Sequence, residues 1–171
     1  MAQLLLTAVG ADRPGIVSSV AAKVAEQGGN WLESRMALLA GAFAGIVLVD
    51  IPDELVGGLR DSLAELAADG LDVTITPTGP ISQPDQTTLS VRLIGHDRPG
   101  IISQVTGAMA DLGVTIDDLE TGVREAPMGD GVLFETSARV RITTATTVDD
   151  LRSALEGIAA ELMVDIEMVE D

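Results

Sequence analysis

Apolar positions recur along this chain at two periods, and stretches of the two kinds alternate. QLLLTAVG (3–10) opens with a short apolar run of strand length. Ile16, Val17, Val20 and Val24 then mark one face of a helix. NWLESRMALLA (30–40) and AFAGIVLVDI (42–51) read as two strands around a turn, because the uncharged run they share, 36–49, is too short for a bilayer and holds glycines. Leu55, Leu59, Leu63 and Leu66 line a second helix, and LDVTITP (71–77) closes the half as a strand.

The same order then returns. TLSVRLIG (88–95) is followed by Ile101, Ile102, Val105 and Met109 at helical spacing, and by TIDDLETGVRE (115–125) as a strand. In GVLFETSARVRI (131–142), Val132, Phe134, Thr136, Ala138, Val140 and Ile142 alternate so that one face is buried. Leu151, Leu155, Ile158 and Leu162 predict a helix, and VDIEMV (164–169) a last strand. Gly28 and Gly113 stand at the same offset, where a helix C-terminus belongs. Each half therefore reads β-α-β-β-α-β, the ferredoxin-like split βαβ unit of the α+β class, an antiparallel sheet with two helices on one face. TGPISQPDQ (78–86) reads as a linker between a first domain at 1–77 and a second at 87–171. The repeat is too long for a solenoid, so it is a domain duplication. Sheets with free edges invite pairing, and a homodimer or larger symmetric assembly is expected.

The strongest repeated words are GADRPGIV (10–17) and GHDRPGII (95–102), each at the first strand–helix junction. Pro14 and Pro99 are expected in the first helical turn. Asp12 and Asp97 stand where an N-cap could accept from Gly15 or Gly100. The glycines admit a close neighbour, and a helix start attracts a carboxylate, while an Asp there can hold an ammonium. Two readings stay open: a pair of helix caps, or a site for the two ends of a free α-amino acid.

Charge narrows the classes. The chain carries 27 acids against 10 bases, a formal charge of −17, which argues against direct contact with nucleic acid. One Trp, two Phe and no Tyr leave no stacking platform for single strands. The absence of cysteine excludes disulfides, thiolate metal sites and a cysteine nucleophile. The start, MAQLLLTAVGADR, lacks a basic segment, and its apolar run is short for a signal peptide, so a cytoplasmic protein without membrane spans is expected. No Walker A, zinc ligand set, dinucleotide fingerprint or acid–base constellation is present; no enzyme activity, cofactor or metal is expected.

The βαββαβ order with DRPGI at the first junction resembles the ACT domain, a regulatory module that commonly senses amino acids. The tandem layout, with NWLESRMALL, DDLET and APMGDGVLFE, is similar to the glycine cleavage system transcriptional repressor family. The resemblance implies ligand contacts from the residue before RPG and from an Asn opening the second strand of a facing domain. In this chain those are Asp12 and Asn30, and Asp97 and Thr115. Asp stands in place of the more usual Asn before RPG, and Thr115 in place of the strand Asn. Two unequal pockets are implied, one pairing Asp97 with Asn30 and one pairing Asp12 with Thr115. Gly95, His96, Arg98, Pro99, Gly100 and Ile101 would flank the first of these, and Arg13, Pro14, Gly15 and Ile16 the second. A small amino acid, glycine or serine first, is the implied ligand. A protein such as a transcription factor is the implied partner, and an allosteric subunit of a metabolic enzyme or a ligand-free interaction module are the alternatives.

Of the remaining residues, Trp31 reads as core or interface. Ser18 and Ser19 have no nearby base and read as helix residues. The acid pairs at 117–118 and 149–150 read as solvated faces or a helix start. EAPMGDG (125–131) reads as a hairpin loop with Gly129 and Gly131 at positive φ, or as a contact with a neighbouring half or subunit.

Overall fold

The computed structural model describes residues 1–79, 86–127 and 131–170. They form two compact units, one through the fourth strand and one from the fifth. The first unit runs β1 (Ala2–Ala11), α1 (Ile16–Glu26), β2 (Asn30–Leu39), β3 (Ala42–Ile51), α2 (Val56–Ala64) and β4 (Leu71–Thr78). The second runs β5 (Gln86–His96), α3 (Ile101–Asp111), β6 (Thr115–Glu125), β7 (Val132–Thr143), α4 (Val148–Leu162) and β8 (Val164–Glu170). The sheets are ordered β2-β3-β1-β4 and β6-β7-β5-β8, and every pairing is antiparallel. This is the ferredoxin-like α+β fold in duplicate. Residues 80–85 of the expected linker, and Gly129 of the expected hairpin loop, lie outside the described residues.

Strand alternation and helix periodicity meet in each core. Leu4, Leu6 and Ala8 of β1 and Val47, Val49 and Ile51 of β3 face Ile16, Val20 and Val24 of α1 and Leu59 and Leu63 of α2. Leu89, Val91 and Leu93, with Ala138, Val140 and Ile142, do the same beneath Ile101, Val105, Met109, Leu151 and Leu155. Trp31 packs, partly buried, at the margin of the first core.

Three expectations shift. Leu55 is exposed, because Asp53–Leu55 forms a 3₁₀ turn that delivers Val56 to the core instead. Leu66 is buried as expected, but from a second 3₁₀ segment, Glu65–Asp69, beyond the end of α2. Val132 is 45% exposed at the open end of β7, past the reach of the helices.

The turns explain the placement of the glycines. Gly28 and Gly113 take left-handed φ of 71° and 69° one residue beyond the helix caps. Gly28 N–H donates to Ala25 and Gly29 N–H to Val24, and Gly113 and Val114 repeat the pattern on Ala110 and Met109, closing each helix in a Schellman motif. Ala40 and Gly41 both take positive φ, the two-residue hairpin link whose twist suits its strands. Gly131 takes φ 93° where β7 begins. No helix among the described residues is long and apolar enough to cross a membrane.

Asp150 belongs to a helix start. The Thr147 side chain accepts from Asp150 N–H at 3.1 Å, while the Thr147 hydroxyl and N–H donate to the Asp150 carboxylate at 2.6 and 3.0 Å. The hydroxyl first, and the N–H second, hold the Asp150 carboxyl below its ordinary value. A depressed folded value means the stabilisation is present at neutral pH and is lost as pH falls through that value. Thr147→Ala is therefore expected to cost about 0.5–2 kcal/mol at pH 7. The gap to the unmodified chain should narrow in acid. Urea denaturation at pH 7 and below the carboxylate range checks both; a gap that widens in acid contradicts the capping box.

A second expectation concerns Gly10. A Cβ there would run into the Gly70 carbonyl oxygen and come within 3.2 Å of Leu71 Cα, both backbone atoms that cannot swing aside. Gly10→Ala should destabilise the first unit by about 1–3 kcal/mol. A melting temperature unchanged by the substitution would remove this packing role.

Candidate functional site

The repeated junction is a turn that leaves its helix uncapped. Gly15 has φ 92° and ψ 0°, and Gly100 φ 94° and ψ −3°, close to the third position of a type II turn with proline before it. In that left-handed state each glycine is itself the N-cap residue. Its carbonyl accepts the first helical bonds, from Ser19 N–H at 2.8 Å and Gln104 N–H at 3.0 Å. Pro14 and Pro99 consequently lie in the turn ahead of the helix, not in its first turn. Asp12 and Asp97 sit three residues before the cap position, and no side chain caps either helix. The expectation of Asp caps is thus corrected: the glycine turn has taken the cap position. The first three N–H groups of each helix, at Ile16, Val17 and Ser18 and at Ile101, Ile102 and Ser103, have no acceptor within the helix.

The backbone of each Asp is nonetheless fixed. Asp12 N–H donates to the Gly41 carbonyl and Asp97 N–H to the Val132 carbonyl, both at 2.9 Å, adding a last rung to the sheet. Both Asp residues are exposed, as are Pro14, Pro99, Gly15, Gly100 and His96. His96 is the last residue of β5, and a Cβ on Gly131 would lie 3.8 Å from its Nδ1. Ile16 and Ile101 point into the cores at 3% and 2% exposure, so only their backbone faces the junction. The space beside Gly95 is already filled. A Cβ there would collide with Val164, so this glycine admits β8 and not a ligand, as Gly10 admits the start of β4.

Asn30 and Thr115 are exposed but distant from the junctions of their own units. Asn30 pairs with Asp50, which also faces Gln3, nine residues along β1 from Asp12. Thr115 pairs with Arg141, level with Thr88, again nine residues from Asp97. At about 3.3 Å per residue each pair is separated by roughly 30 Å within its sheet. A ligand touching both an Asp and an Asn must draw them from two different sheets.

The two arginines of the motif differ in a way the sequence did not announce. Arg13 lies half-buried with Nη2 4.0 Å from the Asp69 carboxylate. Leu71 pairs with Gly10 as Val164 pairs with Gly95, so Leu162 occupies the place of Asp69 in the second unit. Leu162 is buried, and among the described residues Arg98 has no ion-pair partner.

The larger concavities lie elsewhere, on the helix-free face of each sheet. One of about 610 Å³ is lined by Arg92, Glu120, Glu135, Ser137, Asp165 and Glu167 among others; one of about 380 Å³ by Leu5, Arg35, Ile46, Leu48 and Thr78 among others. Four carboxylates around one guanidinium repel the carboxylate of an amino acid, and Glu135 is already held by Arg124 at 2.6 Å. Alternation in β5 and β7, with Arg92, Glu135 and Arg139 opposite the buried positions, was the signal for this charged face. Size alone does not make it the amino-acid site.

The ACT domain family profile matches residues 2–76 and 87–169. The chain belongs to the ACT domain family. Phosphoserine phosphatase SerB2 of Mycobacterium tuberculosis is 33% identical over 176 residues, covering 98% of this chain; the chain spans 40% of that protein's length. The crystal structure of an unknown protein from Galdieria sulphuraria superposes with a TM-score of 0.89 at 31% identity, over 99% of this chain and 98% of the other. That of a putative glycine cleavage system transcriptional repressor gives 0.75 at 21% identity, over 99% and 97%, and shares the tandem fold.

Each ACT domain thus presents the same uncapped helix start, flanked by an exposed Asp. In the first ACT domain the neighbouring arginine is drawn toward Asp69; in the second it is not. Because neither Asp caps a helix, Asp12→Ala and Asp97→Ala should each move stability by no more than about 0.5 kcal/mol. Urea denaturation of the two variants checks this. A loss of about 1 kcal/mol or more, the usual cost of deleting a cap, would restore the capping role.

Proposed function

We propose that this ACT-domain chain is an amino-acid-sensing regulatory protein that works through protein contact and not as a catalyst. The observation that carries this is the repeated open helix start: backbone donors without a side-chain cap or an acceptor within the helix, an exposed Asp three residues before the cap position, and in the second domain an arginine without an ion-pair partner among the described residues. Donors at a helix start suit a carboxylate, and Asp97 suits an ammonium. These are the two ends of every free α-amino acid. Glycine and serine are the favoured ligands, because the exposed turn offers little apolar lining for a large side chain. The relative named for phosphoserine acts on a derivative of such a small amino acid.

The ligand is held near Asp97 with Asn30 from the other half or from a neighbouring chain, since one sheet keeps such residues about 30 Å apart. Asn30 adds a donor and an acceptor that fix orientation. Asp12 with Thr115 forms the weaker site. The regulated process is transcription, of the glycine cleavage type, in the cytoplasm. A charge of −17 supports control through a protein partner over direct contact with DNA. The match to part of SerB2 favours a second reading, the regulatory portion of an amino-acid metabolic enzyme.

Calorimetric titration with glycine and serine tests the common core of both readings. Affinity on the order of micromolar to millimolar is expected, because a small zwitterion is costly to desolvate. Asn30→Ala should weaken binding more than Thr115→Ala. No heat from any common amino acid, or the reverse order of the variants, removes the assignment.

A further inference from the structure

β8 ends the second sheet, and no strand pairs with its outer side. Its register on β5 is unbroken, so alternate residues turn their N–H and C=O groups away from β5. Its two faces differ in character. Asp165 and Glu167 stand on the helix-free face, and both are exposed. Val164, Ile166 and Met168 stand on the helix side, where Val164 is buried but Ile166 and Met168 are only partly covered by the core they pack against. Arg92 stands opposite Glu167, yet among the described residues none of Arg92, Asp165 and Glu167 is in an ion pair. The acids of β6 are in the contrary state, with Asp117 and Asp118 held by Arg141 and Arg139. β4, the counterpart of β8 in the first unit, keeps Asp72 in the place of Asp165. It has Thr74 in the place of Glu167 and Pro77 in that of Glu170, and a proline offers no N–H to a new neighbour.

We infer that β8 is a docking edge for an extended segment of a partner protein in which lysine or arginine alternates with apolar residues. An added strand keeps the two-residue period, so its side chains on one face fall beside Asp165 and Glu167 and those on the other beside Ile166 and Met168. Main-chain bonds to β8 supply attraction that is indifferent to side chains, and the alternation supplies the selection. Opposite charges side by side on neighbouring strands favour the pair, and like charges disfavour it. A second copy of β8 is therefore the wrong occupant, because it brings acids against acids. The concavity of about 610 Å³ borders Asp165 and Glu167 and leaves room for long cationic side chains. A chain of −17 also draws a cationic segment toward it before contact. The inference rests on the proposed control through a protein partner, and names the chemistry of the segment that partner offers.

The probe is a short fluorescein-labelled peptide alternating lysine with valine, titrated with the full chain by anisotropy in amino-acid-free buffer. Binding on the order of 10–100 µM is expected at low salt, weakening as salt rises. Asp165→Asn combined with Glu167→Gln should weaken it at least about 10-fold, since both cross-strand charge pairs are lost. Asp61→Asn with Glu156→Gln, an equal change of charge at exposed positions on α2 and α4, should alter it by less than about twofold. A peptide of the same composition with its lysines in one block keeps the charge but not the period, and should bind at least about fivefold more weakly. No binding of the alternating peptide, equal binding of the blocked one, or a loss that the helix changes reproduce overturns the inference. Peptide binding that fails while amino-acid heat is retained removes this edge alone; heat that fails while peptide binding is retained removes the amino-acid site alone.

Discussion

Each unit turns from its central strand into its first helix through one residue that must hold a left-handed backbone. With Gly15 at φ 92° and Gly100 at φ 94°, the chain reverses fast enough for Ile16 and Ile101 to drop straight into the cores. Any side chain at those glycines is strained by the backbone itself. The preceding proline fixes its own φ and pre-sets the turn. Much follows from this geometry. The glycine becomes the cap position, so the Asp three residues earlier is released from capping. The first N–H groups have no acceptor within their helix, and the Asp backbone is tied to the sheet while its side chain is exposed. Tightness at the other side of the junction has a separate cause, because Gly10 and Gly95 let the last strand of each unit begin against the first.

Duplication preserved this geometry but not its surroundings. Asp69 stands near Arg13, and Leu162 leaves Arg98 without an ion-pair partner among the described residues. Asn30 has Thr115 as its counterpart, both level with the far end of the central strand. The edges differ too. β6 is laced to β7 by Arg141–Asp117 at 2.5 Å, Arg139–Asp118 at 3.7 Å and Arg124–Glu135 at 2.6 Å, whereas β2 is neutral and apolar. Two copies of one fold therefore offer unequal sites and unequal edges, and the difference lies in side chains outside the repeated motif.

Fold was legible because apolar spacing is dictated by which face is buried. Val20 and Val24 of α1, like Val47 and Val49 of β3, are core for the reason their period implies. What was missed follows from local turn chemistry and from distance. The Pro-Gly pair signals a turn with positive φ at glycine, and that signal outranks Asp as a cap. Leu55 fits a helical stripe, yet a 3₁₀ turn rotates it outward. Gly95 looks like room for a ligand until Val164 fills it, a contact between residues far apart in sequence. Nor does linear order reveal that Asp12 and Asn30 stand at opposite ends of one sheet. The motif types were readable; the partners that decide their roles were not.

Backbone amide shifts, followed while glycine or serine is added, address the central claim most directly, because the site is said to be made of main-chain donors at an uncapped helix start. The amides of Ile101, Ile102 and Ser103 should move first and furthest, with Asp97 and Gly100, followed at higher concentration by Ile16, Val17 and Ser18. Shifts centred instead on Arg92, Glu135 and Glu167 would put the ligand on the charged face of the second sheet. Amides at both helix starts that stay fixed at saturating ligand would contradict the account and leave the repeated motif as a turn alone.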